Sequence, residues 1–215
     1  MIRNLSEENS ILHQYLIEIR DVDIQLDPLR FRHNLKRIGS LMAIEISKTL
    51  DYKEVSVRTP LGIAQQNQLS NQLVLGTILR AGLPMYEGFL DVFDRAESAF
   101  IGAFRSHENS DKDFEIDLGY NAAPDLNNKH LILIDPMLAT GSSLLETIEA
   151  ISKKSSPEKI IIAAAVSSEE GIRNVQKALP EAKIWTATID PELNSRKYIV
   201  PGLGDAGDLA FGPKL

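Results

Sequence analysis

Leu131-Ile132-Leu133-Ile134-Asp135-Pro136-Met137-Leu138-Ala139-Thr140-Gly141-Ser142-Ser143-Leu144 decides how this chain folds. The apolar run Leu131 to Ile134 reads as a buried parallel strand, expected to stop at Asp135-Pro136. A loop of small and hydroxyl residues follows, Ala139 to Ser143. Leu144, Leu145, Ile148 and Ile151 then recur at helical spacing. The order is strand, acid, small polar loop, helix. Backbone N–H groups at such a loop and helix start are unpaired and bind phosphate. An Asp at the strand's end can face the hydroxyls of a sugar carrying that phosphate. The same residues also fit an ordinary strand-to-helix turn, with Ser143 and Glu146 as a capping box.

Working outward, strands and helices alternate. Apolar spacing predicts a short helix within residues 6–20, a break over 21–27 and a long helix over 29–50. Residues 54–58 and 62–65 read as a short β pair. Leu73 to Leu79 is a buried strand that turns at Arg80-Ala81-Gly82 into a helix reaching about Val92. A strand near Ser98–Phe104 precedes Arg105. Residues 106–129 are polar, with a candidate strand at Phe114–Leu118, and form a candidate lid or a solvated loop. Strands at Ile160–Val166 and Lys183–Ile189 bracket a helix at Glu169–Leu179. The tail from Asp190 reads as loop-rich.

This alternation predicts an α/β fold, a doubly wound and mostly parallel sheet in a single domain. Residues 1–50 would be N-terminal helices, 51–189 the core and 190–215 a C-terminal segment. In such sheets ligands sit beyond the carboxyl ends of the strands. Leu79, Phe104 and Ile134 each end an expected strand, and a charged residue follows each: Arg80, Arg105 and Asp135. Either these converge on one site, or they reflect the general habit of strands to end in charge.

A formal net charge of −7 and a pI near 5.2 argue against a general nucleic-acid or membrane-surface binder. An anionic ligand must then be held by loop amides, a few arginines and a cation. The absence of cysteine excludes disulfides, thiolate metal sites and a Cys nucleophile. Met1 to Arg20 lacks a long apolar core, so neither a signal peptide nor a membrane span is expected there, and the default location is cytoplasmic. His13, His33, His107 and His130 have no metal-ligand spacing.

Gly202-Leu203-Gly204-Asp205-Ala206-Gly207 satisfies G-x-G-x-x-G, but not as a dinucleotide fingerprint. That fingerprint must follow a first strand and open a helix within a βαβ unit. Eight residues after Gly207 leave no room for a helix and a second strand.

Taken whole, three stretches resemble the uracil phosphoribosyltransferase family. Asp135 to Ser143 looks like its ribose-phosphate loop. Ile78-Leu79-Arg80-Ala81-Gly82 resembles its Leu-Arg-Ala-Gly turn. Tyr198 to Asp208 looks like its uracil-binding loop, with Phe211-Gly212 retained. Phe31-Arg32 and Ile38-Gly39 also fit the family's N-terminal region, with no catalytic role assigned to Arg32.

The resemblance implies transfer of phosphoribose from phosphoribosyl pyrophosphate (PRPP) to uracil, giving UMP and pyrophosphate with inversion at the anomeric carbon. It implies Arg80 and Arg105 on the pyrophosphate, an Arg fork suiting diphosphate oxygens better than a Lys. PRPP would be held by Asp135, Pro136, Met137, Leu138, Ala139, Thr140, Gly141, Ser142 and Ser143, with Asp135 on the ribose hydroxyls. Ile199, Gly204, Asp205 and Ala206 would hold uracil, and Asp205 would also reach the pyrophosphate side. The catalytic set is thus Asp135, Arg80, Arg105 and Asp205.

Mg²⁺ is the implied cofactor. With Asp135 alone where two acids are usual in the wider superfamily, the ion would be held by substrate oxygens and water, with no protein metal ligand. The resemblance further implies a homodimer or larger homo-oligomer and a GTP effector in some members, while the acidic balance gives the expectation of no nucleic-acid or membrane partner. Two departures bear on the site: Pro84 replaces a usual glycine in the first helical turn, where Pro is tolerated, and Ser142 stands where a second glycine is common. Ser142 is strained if that position needs φ > 0 and costs nothing if it is helical. Two alternatives stay open: a regulatory protein of this fold sensing PRPP or UMP, and a transferase acting on another base.

Overall fold

The computed structural model describes residues 1–105, 116–153 and 155–213, with backbone alone at 103–105 and 116–119. A seven-stranded sheet forms its centre. Its strands are β1 (Ile2–Asn4), β4 (Leu73–Leu79), β5 (Glu97–Arg105), β6 (Ile116–Ala122), β7 (His130–Leu138), β8 (Lys159–Ser168) and β9 (Lys183–Asp190). They lie in the order β1-β9-β8-β7-β4-β5-β6. All pairs are parallel except β5–β6, which is antiparallel at the edge. This is the expected doubly wound, mostly parallel α/β sheet.

Both faces are covered, so β7 alternates between two cores. Ile132 and Ile134 point to one side, where α1 (Leu12–Arg20), α2 (Pro28–Ser47) and α3 (Leu83–Val92) pack. Leu133 and Leu138 point to the other, against α4 (Ser142–Ser152) and α5 (Glu169–Ala178). Burial on both faces is why β4, β7 and β8 read as continuous apolar runs. α2 and α3 touch backbone to backbone: a Cβ on Gly88 would lie 2.0 Å from the Lys36 carbonyl oxygen, and one on Gly39 would lie 2.2 Å from that of Met85. Ser40 Oγ seals the crossing by donating to Gly88 O at 3.1 Å.

α1 is tied to α2 by the buried Glu18. It accepts from Arg30 Nε and Nη2 at 2.9 and 2.8 Å, from Asn34 Nδ2 at 2.7 Å and from Gln14 Nε2 at 3.2 Å. These donors, Arg30 foremost, hold the Glu18 carboxyl down at about 2.

Several expectations are corrected. β7 does not stop at Asp135-Pro136. Its pairing with β4 ends at Thr77–Ile134, but it continues along β8 through Met137–Val166 and Leu138–Ser167. Pro lacks only its own N–H, and with β4 gone one side of the strand is free to tolerate it. The pair at 54–58 and 62–65 is a longer hairpin, β2 (Tyr52–Thr59) and β3 (Gly62–Leu69), which forms a separate two-stranded sheet.

The short first helix begins at Leu12, after a 3-10 turn at Leu5–Glu7, and the unforeseen β1 pairs with β9. The tail carries β10 (Glu192–Leu193), β11 (Ile199–Val200) and α6 (Ala206–Phe211). A helix therefore does begin inside the G-x-G-x-x-G stretch, but among the described residues no strand follows it. Of the candidate lid, residues 106–115 lie outside the described residues, as does part of the Phe114–Leu118 expectation. The remainder is tied down at two points, β6 by its pairing with β5 and Leu126 by full burial, while most of its other described side chains are exposed.

Candidate active site

From β4 the chain moves outward to β5, and from β7 it moves the opposite way to β8 and β9. The sheet's order therefore reverses between β4 and β7, where parallel sheets open a crevice at their carboxyl ends. Arg80 directly follows β4, and Asp135 with the small polar loop belongs to the end of β7.

The loop's shape follows from one glycine. Gly141 sits at φ +83° as the residue before α4, and no side chain caps that helix. The Ser143–Glu146 capping box is therefore not formed; Ser143 already lies in the first turn. Ser142 opens the helix and is not among the positive-φ residues, so serine costs nothing there. Thr140 Oγ1 accepts from Ser142 N at 3.4 Å and donates to Ser142 Oγ at 3.1 Å.

The loop rests on the start of α5. Ser168 Oγ donates to Ala139 O at 2.6 Å and accepts the Gly171 N–H at 2.8 Å. Asn174 Nδ2 donates to Thr140 O at 3.0 Å. Neither Ser168 nor Asn174 stood out in the sequence, although Ser168 before Glu169-Glu170 is a helix-start signal.

Asp135 is half-buried as a residue, but its carboxyl is enclosed. Burial pushes it up to about 7, and among the described residues the one opposing contact is the Met137 N–H at 3.4 Å. A carboxyl with so little compensation is ready to accept donors supplied by a ligand.

The turn after β4 packs directly on β7. Thr77 Oγ1 donates to Ile134 O at 3.2 Å, and a Cβ on Gly82 would fall 3.0 Å from that same oxygen. Pro84 lies in the first turn of α3, as expected. Arg80 Nη2 donates to Asp208 Oδ1 at 2.9 Å and to Gly212 O, while its buried Nε has no partner among the described residues. Asp205 accepts the Asp208 N–H at 3.0 Å and caps α6, whose Gly207 lies against Asp205, Ala81 and Arg80. The C-terminal loop thus sits on the Arg80 turn, and that turn sits on β7.

The C-terminal loop at 199–206 is shaped by Gly202 at φ +57° and Gly204 at φ +94°. A Cβ on Gly204 would meet nothing within 4 Å, which leaves open space beside its backbone. Ile199 and Ala206 are buried, whereas Asp205 is exposed. Arg105 is the last residue of β5, three positions past the Leu79–Gly102 pair; its side chain lies outside the described residues. Of the expected residues, Arg80, Asp135 with its loop, and the 199–206 loop are brought to one edge. Among the described residues no group of three His, Asp or Glu could hold a metal.

The family model described as uracil phosphoribosyltransferase matches residues 6–213. A uracil phosphoribosyltransferase of Porphyromonas gingivalis is 46% identical over 213 residues, covering 99% of this chain and 98% of that protein. One from Thermococcus gammatolerans is 37% identical, covering 97% of this chain and 92% of its own. The solved AQ2163 protein from Aquifex aeolicus superposes with a TM-score of 0.87 at 32% identity, with full coverage of both chains. The chain belongs to the uracil phosphoribosyltransferase family.

Proposed function

We propose that this protein transfers the 5-phosphoribosyl group of PRPP to uracil, giving UMP and pyrophosphate. The observation that carries the reading is the switch point between β4 and β7, where a cation-bearing turn and a phosphate-type loop meet beneath the C-terminal loop.

In this reading the N–H groups and hydroxyls of Ala139 to Ser143 anchor the sugar phosphate, and Asp135 accepts the ribose hydroxyls. Arg80 and Arg105 neutralise the departing pyrophosphate. The backbone of Ile199, Gly204, Asp205 and Ala206 matches the donors and acceptors of the uracil ring. Mismatched polar groups would then disfavour cytosine. Uracil N1 bonds to the anomeric carbon as the carbon–oxygen bond to pyrophosphate breaks, and the N1 proton leaves to solvent.

Mg²⁺ fits as a companion of the substrate. With the isolated Asp135 and no cluster of acids among the described residues, it would be held by PRPP oxygens and water, and would lower the charge on the leaving group. A charged substrate that does not cross a bilayer supports a cytoplasmic place of action. Self-association is part of the proposal, supported by a β2–β3 hairpin that stands outside the main sheet with Leu61 100% and Ile63 76% exposed.

The test follows pyrophosphate release from PRPP and Mg²⁺ with uracil, cytosine, hypoxanthine or orotate. Turnover is expected with uracil alone, and turnover with a purine instead would overturn the reading. Repeating it with and without GTP tests the effector that the family resemblance implies. Arg80→Ala should raise the KM for PRPP about tenfold or more and move that for uracil much less. The opposite ordering of the two effects would assign Arg80 to the base.

A further inference from the structure

Asp190 closes β9 at the same sheet edge and is 4% exposed. One nitrogen of Arg20, Nη2, donates to both its oxygens, at 2.8 and 2.7 Å. Oδ2 also accepts the Gly202 N–H at 2.8 Å. Arg20 is the last residue of α1, so a buried carboxylate links the N-terminal helices to the loop at 199–206.

Two more groups from the same region reach that segment. The Gln25 amide, in the orientation that gives both its ends partners, donates to Ile19 O at 2.9 Å and Leu203 O at 3.0 Å. Arg32 Nη1 donates to Ala210 O at 2.6 Å.

The loop needs such support. Gly202 and Gly204 supply no side chains to pack, and glycine leaves the backbone free to move. Backbone recognition of a flat base tolerates little displacement of the amides that perform it. Charged hydrogen bonds to buried partners supply fixed geometry that the loop's own sequence does not.

We propose that Asp190, oriented by Arg20, is a positioning residue that fixes the base loop through the Gly202 amide. The N-terminal helices are thereby a specificity element of the base pocket rather than only a cover for the sheet. The inference rests on the reading of residues 199–206 as the base site.

Steady-state kinetics of the full-length enzyme test it, with uracil and PRPP varied separately. Asn in place of Asp190 removes the charge, and with its oxygen kept on Gly202 it turns an amide NH₂ towards the Arg20 guanidinium where Oδ1 now accepts, so Arg20 no longer orients it. Asp190→Asn should raise the KM for uracil about tenfold while that for PRPP stays within about twofold. Arg20→Lys keeps the charge but carries it on a shorter, more flexible stem, and should show about a threefold rise. If Asp190→Asn does not fold, Arg20→Met gives the same test, because Asp190 then stays as an acceptor for Gly202 but loses its orienting partner.

A parallel rise in both KM values, or an unchanged KM for uracil in folded enzyme, would overturn the positioning role. Gly204→Ala separates the two levels, since alanine is strained at φ +94°. If Gly204→Ala raises the KM for uracil and Asp190→Asn does not, this inference alone fails. If Gly204→Ala also leaves it unmoved, the base-site reading fails with it.

Discussion

A carboxyl held near neutral pH by burial gives up stability for readiness to bind, and Asp135 is such a group. Its folded value of about 7 lies above the ordinary 3.8. The fold therefore gains stability below the ordinary value, where the carboxyl is neutral in both states, and loses it as pH rises through 7. Roughly three pH units at about 1.4 kcal/mol each, discounted for partial exposure, make that cost about 2–4 kcal/mol above pH 7. Asp135→Asn is neutral at every pH. It should melt higher than the parent at pH 8, with the gap closing as pH falls towards 4, while kcat/KM drops about 100-fold or more. Thermal melts across pH check the first outcome; a melting difference that does not vary with pH would show that burial does not control this group. Asp135 and Arg80 were legible because residue type and spacing carry chemistry. The conformation at Ser142 was not, because either Gly141 or its successor could take the positive φ. Asp190 was not legible either, since its partners Arg20 and Gly202 lie far away in sequence.

Elements were readable where one period ran long enough, as in α2 and the strands β4, β7 and β8. The misses were short or depended on distant partners. β1 is three residues that gain a strand's geometry only from β9, and β7 outruns its expected end because β8 is still alongside. α5 shows how an element serves the site without touching a ligand. Ser168→Ala removes both a helix cap and the bond to Ala139 O. It should cost about 1–2 kcal/mol of stability and raise the KM for PRPP more than that for uracil. Equal effects on both substrates would mean that the contact supports the fold but not the loop. At the α2–α3 crossing, Gly88→Ala puts a methyl group onto the Lys36 carbonyl, so the helices must separate. A loss of about 2–4 kcal/mol in denaturant unfolding is expected, and a loss below about 0.5 would show that the crossing yields easily.

At the scale of the whole molecule, alternation revealed the class of fold but not the order of its strands. Nothing local says that β7 lies beside β4, yet that adjacency brings the Arg80 turn to the Asp135 loop. The same limit applies to the hairpin, which the sequence shows as a β pair without saying whether it packs on anything. Among the described residues β2 and β3 pair only with each other, and Tyr52, Val57, Leu61 and Ile63 are exposed along them. An isolated two-stranded hairpin is marginal in water, and exposed aliphatic residues on an unpaired ribbon favour association. Association through the hairpin of a second copy would cover these side chains, and a stable interface needs about 1,000 Å² or more. Ile63→Lys puts a charge on that ribbon at a position where it disturbs no core. Light scattering behind size-exclusion chromatography should show the parent as a dimer or larger and the variant shifted towards monomer at equal concentration. Pyrophosphate release per folded site would then show whether the switch-point site works in one copy alone. A parent that is monomeric, or a variant that stays assembled, would exclude the hairpin as the contact.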